Sequence, residues 1–192
     1  DGGVPPLPWT RAVPRGPAAP DGVEVTVKVP DAPLARVDVA RQTLTVTCGG
    51  RVVRSYRVST AAAGVSAVAG SRGTPPGRHR IARLFGHTAA PGQVFVSRRA
   101  VKGQVIPPTD WRAGGGRDYV LTRILWLDGL EPGVNRGGRV DSRARYIYIH
   151  GTNQEQRLGT PASHGCIRMA NADIIAFFDY VKRHRNLVVE IA

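Results

Sequence analysis

The chain has 192 residues, with 27 Lys and Arg against 14 Asp and Glu for a formal charge of +13, and 42% of its residues are hydrophobic. That is the size and composition of one globular domain, and no run approaches the roughly 18 uninterrupted apolar residues a membrane helix needs, so no transmembrane segment is expected. A positive surface field attracts polyanions such as nucleic acid, anionic lipid or an acidic wall polymer, but the arginines are scattered and no RNP, zinc-finger or helix-turn-helix pattern accompanies them, so a nucleic-acid partner is not expected.

From Asp1 to about Pro20 the chain is rich in Pro and Gly and has too little apolar surface to offset its ordering entropy. It reads as an extended tail, with a tail over 1–30 ahead of one domain over 31–192. The chain opens at Asp1 without Met or an apolar leader, so any export signal is expected to have been removed or to lie outside this sequence. Short β-branched runs then predict strands at Val23–Val29, Leu34–Ala40, Thr43–Cys48 and Arg51–Ser59, with Gly49 and Gly50 in a hairpin turn. The following stretch to Gly77 has too many Gly and Pro for a helix. It reads as a loop whose TPPG end is turn chemistry, leading into a strand over His79–Phe85.

Strands at Val94–Ser97 and Tyr119–Leu127 bracket the Gly-rich GGGRD loop, and Asp128–Ser142 reads as a long surface excursion of the kind that carries binding sites. RYIYIH alternates with period two, placing Tyr146, Tyr148 and His150 on one face and Ile147 and Ile149 on the other, so that His150 ends a strand. A helix is predicted from Asn171, with an apolar stripe of Ile174, Ile175, Phe178 and Val181, Asp173 in its first turn and Lys182, Arg183 and Arg185 at its end. A last strand covers Leu187–Ile191.

A thiolate is the useful nucleophile of a cysteine, so a catalytic Cys needs a base and backbone N–H groups to hold the oxyanion it creates. Cys48 lies in a strand and reads as a small buried hydrophobe. Cys166 lies in SHGCIRM, where Gly165 permits a tight bend and the N–H groups of Gly165 and Cys166 can converge on a developing charge. His150 and His164 are the two candidate bases. A zinc site made from His150, His164 and Cys166 lacks a fourth ligand and any finger spacing, so no metal or cofactor is expected. His79, His87 and His184 are given no catalytic role. Arg123, Trp126, Glu131 and Asn135 fit a substrate groove and an ordinary strand end with its loop equally well.

The segment HGTNQEQRLGTPASHGCIRM, from His150 to Met169, resembles the signature of the L,D-transpeptidase catalytic domain (YkuD-like) family: His-Gly, a short insert, then Ser-His-Gly-Cys and Arg or Asn. With TPPGRHRI at Thr74–Ile81 and the succession of strands, the likeness covers roughly Leu34–Ile191. The resemblance implies a mainly β fold, a β-sandwich of mixed sheets with a helix packed after the Cys loop, and a cysteine in a groove under a flexible lid. It implies Cys166 as nucleophile, His150 as general base, the Gly151 carbonyl as the acceptor that fixes the His150 tautomer, and His164 as a supporting neighbour. Ser163 is expected to orient backbone, Gly165 to serve the oxyanion, and Arg168 to steady the loop or meet a substrate carboxylate.

The implied reaction cuts the L,D peptide bond before D-Ala in tetrapeptide stems of peptidoglycan through a Cys166 thioester. The acyl group then passes to an amine, giving a 3→3 cross-link or anchoring of an envelope lipoprotein, or to water. β-Lactams of the carbapenem type are implied inhibitors, and the cell envelope, periplasmic or exported, is the implied location. Two alternatives keep the same fold: an L,D-carboxypeptidase only, and a non-catalytic basic wall-binding module. A papain-like hydrolase is disfavoured, because there the cysteine precedes the histidine.

Overall fold

The computed structural model describes residues 32–112 and 117–192; the tail over 1–30, the strand predicted at Val23–Val29 and the three glycines of GGGRD lie outside the described residues. The strands are β1 (Leu34–Asp38), β2 (Thr43–Cys48), β3 (Arg51–Ser59), β4 (Gly77–Phe85), β5 (Gln93–Val96), β6 (Arg99–Val105), β7 (Val120–Gly129), β8 (Tyr148–Gly151) and β9 (Ile167–Met169), followed by helix α1 (Asn171–Arg183) and strand β10 (Val188–Ile191). β2 and β3 fall on the predicted runs to the residue. β1 stops at Asp38, whose carboxylate accepts the Arg41 N–H at 2.9 Å and turns the chain.

Two strands were not predicted. β6 is mostly exposed along RAVKGQV and so lacks the apolar alternation that announces a strand, while β9 has only three residues. β8 begins at Tyr148 because Tyr146 adopts a positive φ of 56° and breaks the extended run that RYIYIH predicts.

The strands form one mixed sheet in the order β4-β10-β1-β2-β3-β9-β8-β7-β5-β6, and β4 also pairs with β7, so eight of them close into a ring from which the β5–β6 hairpin projects. The mainly β fold expected from the sequence is present, with its layers continuous through β4. Two pairings are parallel, β1 with β10 and β8 with β9. The core gathers Leu44, Val46 and Val58 with Leu125, Ile149, Ile167 and Met169. Against them α1 packs Ile174, Phe177, Phe178 and Val181. The predicted stripe needs one correction: Phe177 is buried and Ile175 only half-buried, because the helix faces the core along the i, i+3, i+4, i+7 line from Ile174.

Candidate active site

The site is built by the one parallel pairing at the centre of the sheet. Ile149 lies level with Ile167, His150 with Arg168 and Gly151 with Met169. In register, facing residues of adjacent strands point to the same side. Ile149, Ile167 and Met169 therefore join the core, while His150 and Arg168 project to the opposite side. Cys166, one residue before β9, falls level with Tyr148, and the Tyr148 N–H points at its Sγ at 3.4 Å.

The turn that presents Cys166 is braced from three directions. Gly165 has φ 131°, a conformation that a side chain disfavours, and a Cβ there would lie 3.3 Å from Ile147 Cδ1. The Ser163 hydroxyl donates to the Cys166 carbonyl at 2.5 Å and accepts the Gly165 N–H at 3.2 Å. Ser163 thus orients backbone, and the Gly165 N–H is directed at that hydroxyl. The Thr74 hydroxyl, fully buried, donates to the Gly165 carbonyl at 3.0 Å and accepts the Ala61 N–H at 3.0 Å. The TPPG turn therefore also anchors the cysteine loop, which its turn chemistry gave no reason to expect.

His150 is buried. Its Nδ1 lies 2.7 Å from the Gly151 carbonyl oxygen, which can only accept, so Nδ1 carries the proton and the lone pair is left on Nε2. Burial holds the imidazole pKa below its ordinary value, although the bond to Gly151 and the Asp118 carboxylate pull the other way. At Gly151 a Cβ would meet Asn171 Oδ1 at 2.5 Å and the Leu121 carbonyl at 2.9 Å, so the backbone here must be bare. Asn171, fully buried at the start of α1, ties this corner together: it accepts from Thr122 Oγ1 and donates to the Thr152 carbonyl at 2.7 Å and Glu155 Oε1 at 2.9 Å.

Arg168 is 1% exposed. Its guanidinium pairs with Asp118 and donates to Gln154 Oε1 at 3.1 Å, and so steadies the loops before β7 and after β8 with no face open to solvent. His164 is exposed beside the half-buried Cys166. Burial pushes the Cys166 thiol up to about 11, Asp118 adds to the rise, and the Tyr148 N–H, Arg168 and Arg145 oppose it. The resting pair is thus a neutral thiol and a neutral imidazole, the state in which a base can take the thiol proton.

Cys166 borders an aromatic surface with Phe95, Trp126 and Tyr148. Trp126 stacks on Tyr146 at 5.9 Å between centroids, and beside them lies an open depression of about 300 Å³ lined by Trp126, Asp141, Arg143, Ala144 and Tyr146. The turn of the β5–β6 hairpin carries Arg98 over Trp126 and Tyr146, with its Nη1 donating to the Tyr148 hydroxyl at 3.0 Å.

Of the four residues left open between groove and scaffold, Trp126 lies on the cysteine side. Arg123 is buried and donates to the Ala89 and Thr122 carbonyls at 2.7 Å, while Glu131 accepts the Arg78 N–H and Asn135 donates to the Pro76 carbonyl, all scaffold roles. Residues the sequence reading missed are Thr74, Asp118, Arg145 and Asn171. Only Asn171 carried a local signal, as an Asn at a helix start. Cys48 and Cys166 are not bridged, and among the described residues no cluster of His, Cys, Asp and Glu could hold a metal.

No curated protein matches this chain by sequence. Among solved structures it is similar to the Ldtfm–avibactam carbamoyl enzyme, at TM-score 0.50 and 13% identity over 84% of this chain and 49% of that one. It is also similar to the L,D-transpeptidase LdtMt1 in complex with imipenem, at TM-score 0.49 and 20% identity over 84% and 59%. An L,D-transpeptidase from Mycobacterium smegmatis aligns at TM-score 0.47 and 20% identity over 83% and 58%. The chain thus spans less than two thirds of the length of these structures. At TM-score 0.50 and 13% identity, the likeness to the Ldtfm enzyme is one of fold. The model of the L,D-transpeptidase catalytic domain matches residues 32–191, nearly the whole described chain, and the protein belongs to that family.

Proposed function

We propose that this protein is a cysteine L,D-transpeptidase of peptidoglycan, with residues 31–192 as its catalytic domain, Cys166 as nucleophile and His150 as general base. The observation that carries the reading is the parallel β8–β9 register. It sets Cys166 and His150 on one face only two residues apart along the strands, roughly 6.6 Å, with Nε2 of His150 left as the basic nitrogen.

In the first half-reaction His150 Nε2 takes the thiol proton, and the sulfur attacks the carbonyl carbon of the L,D amide before D-Ala. Negative charge gathers on the carbonyl oxygen. The Gly165 N–H is committed to Ser163, so the Cys166 N–H is the donor that this reading assigns to the oxyanion. The C–N bond then breaks, the imidazolium returns its proton to the departing D-Ala nitrogen, and a thioester remains on Cys166. In the second half, an amine of another stem or of an envelope lipoprotein gives its proton to His150 and attacks the thioester, expelling the thiolate; water in the same role gives trimming. Arg168 is confined to bracing the site, since its guanidinium faces Asp118 and Gln154. His164, exposed beside the sulfur, contributes to the field at the site entrance.

The open depression past Trp126 and Tyr146 is the place this reading gives to the incoming acceptor, amine or water. A carbapenem offers the thiol a strained carbonyl and is the expected covalent inhibitor. The net charge of +13 suits retention on an anionic wall polymer in the cell envelope, and among the described residues no helix is long and apolar enough to cross a membrane. Incubation of the purified protein with tetrapeptide muropeptides, followed by mass spectrometry, tests the reading. Dimers lacking one D-Ala are expected; tripeptides alone would make it a carboxypeptidase, and unchanged muropeptides would leave a wall-binding module.

A further inference from the structure

Arg145 is a guanidinium that the proposed chemistry does not use, yet it stands against the cysteine loop. It leaves the chain just before β8, is half-buried, and donates to three backbone carbonyls: Ser66 at 3.1 Å and Ala67 at 2.7 Å from Nη1, and Gly73 at 2.7 Å from Nη2. Among the described residues no carboxylate lies within ion-pair distance of it, in contrast to Arg80 with Asp128 and Arg168 with Asp118. Its charge is therefore uncompensated. Nη2 also approaches the turn that presents the thiol, since a Cβ on Gly165 would lie 3.9 Å from it.

Carbonyl oxygens hold a guanidinium in place without cancelling its charge, and a half-buried cation acts on a neighbour through less water than a surface one does. The other groups around the sulfur balance differently. Arg168, from β9, is paired with Asp118, so that unit is nearly neutral; His150 and Tyr148, from β8, are neutral near pH 7; and Tyr146 offers its carbonyl at 3.6 Å, which disfavours a thiolate. Arg98 is directed at the Tyr148 hydroxyl and stacks over Trp126. Arg98 has only these neutral partners too, but the guanidiniums that act on the sulfur are Arg168 and Arg145, and of these two only Arg145 lacks a carboxylate partner among the described residues.

We propose that Arg145 is a positioning residue for the reaction: strapped to the Ser66–Gly73 loop by three carbonyls, it holds an uncompensated positive charge beside Cys166 that stabilises the thiolate when His150 removes the proton and again when the thiolate leaves the thioester. The direction agrees with the electrostatics at the sulfur, where Arg145 opposes the upward push of burial. Burial in turn weakens the guanidinium, as expected for a cation without a counter-ion. The inference rests on the cysteine-nucleophile reading, but its test does not need turnover.

The test is the rate at which iodoacetamide alkylates Cys166 between pH 7 and 9.5, read on the Cys166 peptide by mass spectrometry so that Cys48 does not contribute. In this range the rate follows the thiolate fraction. Arg145→Gln should be about 3- to 10-fold slower than the wild type at each pH, the effect of removing one nearby charge at intermediate dielectric. Arg145→Lys, which keeps the charge, should recover most of the rate. Arg183→Gln, which removes an exposed charge at the far end of α1, should stay within about 2-fold of wild type on that Coulomb scale.

Equal rates in wild type and Arg145→Gln, or Lys and Gln variants slowed alike, would overturn the proposal; the second outcome would leave Arg145 as a loop clamp alone. Should Arg145→Gln not fold, Arg145→Met carries the test: it should be about 3- to 10-fold slower than Arg145→Lys, and equal rates in the two would overturn the proposal. Acylation by a carbapenem, followed in parallel by intact mass, reports on the nucleophile itself. Its absence would sink the enzyme reading while the alkylation ratios still judge Arg145.

Discussion

β8 and β9 have two faces that differ by one step of the pleat. On one side Ile149, Ile167 and Met169 are sealed in the core against α1; on the other His150, Cys166 and Arg168 stand among hydrogen-bond partners and charges. The apolar side gains from water exclusion and needs only volume and shape. The polar side sets buried groups at fixed angles, each of which costs free energy unless it is satisfied. The same two strands therefore carry both a rigid core face and the proposed catalytic groups, and substitutions on the two faces should fail in different ways.

The largest separation is expected at His150. His150→Gln should lower turnover of a stem peptide by about 10²- to 10⁴-fold, the usual contribution of a general base, while the melting temperature moves by only a few degrees. A loss below 10-fold would place the base elsewhere, with exposed His164 next in line. On the opposite face, Ile149→Ala should cost about 2–5 kcal/mol in urea unfolding, because a fully buried side chain leaves a cavity between sheet and helix. The pH profile of its residual activity should match that of the wild type. A shifted profile would show that the two faces are not independent.

Arg168 sharpens the contrast because it sits on the chemical side and serves structure. Arg168→Met should cost about 1–3 kcal/mol, less than the roughly 3–5 of a fully buried pair, since the Asp118 side chain is 27% exposed. Its effect on turnover should come through a raised His150 pKa, because removal of the cation leaves the Asp118 carboxylate unopposed beside the imidazole. NMR titration of His150 should show that rise; a fall would mean that Asp118 moves away.

The smallest expected effect is on pH dependence. Burial lowers the His150 pKa, so the acid limb of the activity profile should lie below pH 6.5. His79 is also buried, with Nδ1 on the Gly77 carbonyl and Nε2 on the Ser142 hydroxyl, and its pKa too is lowered by burial. For both, the unfolded chain takes up protons first as the pH falls below about 6.5, so stability is full above that value and declines below it. His79→Gln should flatten the fall in melting temperature between pH 7 and 5; an unchanged slope would remove His79 from this account.

How much of this was legible in the sequence follows from the same contrast. Short β-branched runs found β2 and β3, period-two alternation found the inward isoleucines before His150, and the 3.6-residue stripe found α1, because these signals repeat locally along the chain. β6 was missed because its side chains face outward and carry no such period. In the site, Cys166, His150, Gly165 and Ser163 were read from one contiguous motif. Thr74 and Asp118 were invisible because their partners lie 91 and 50 residues away, at Gly165 and Arg168, and only the pairing of strands brings them together. Arg145 was hidden in a different way, as one of many arginines in a basic chain, distinguished only by where its three carbonyl partners lie.

The most direct measurement of the central claim is the intact mass of the protein after exposure to a carbapenem, with peptide mapping of the adduct. The wild type should gain one acyl mass on Cys166, His150→Gln should gain it far more slowly, and Cys166→Ala should gain none. An adduct on Cys166→Ala, or no adduct on the wild type, would contradict Cys166 as the nucleophile.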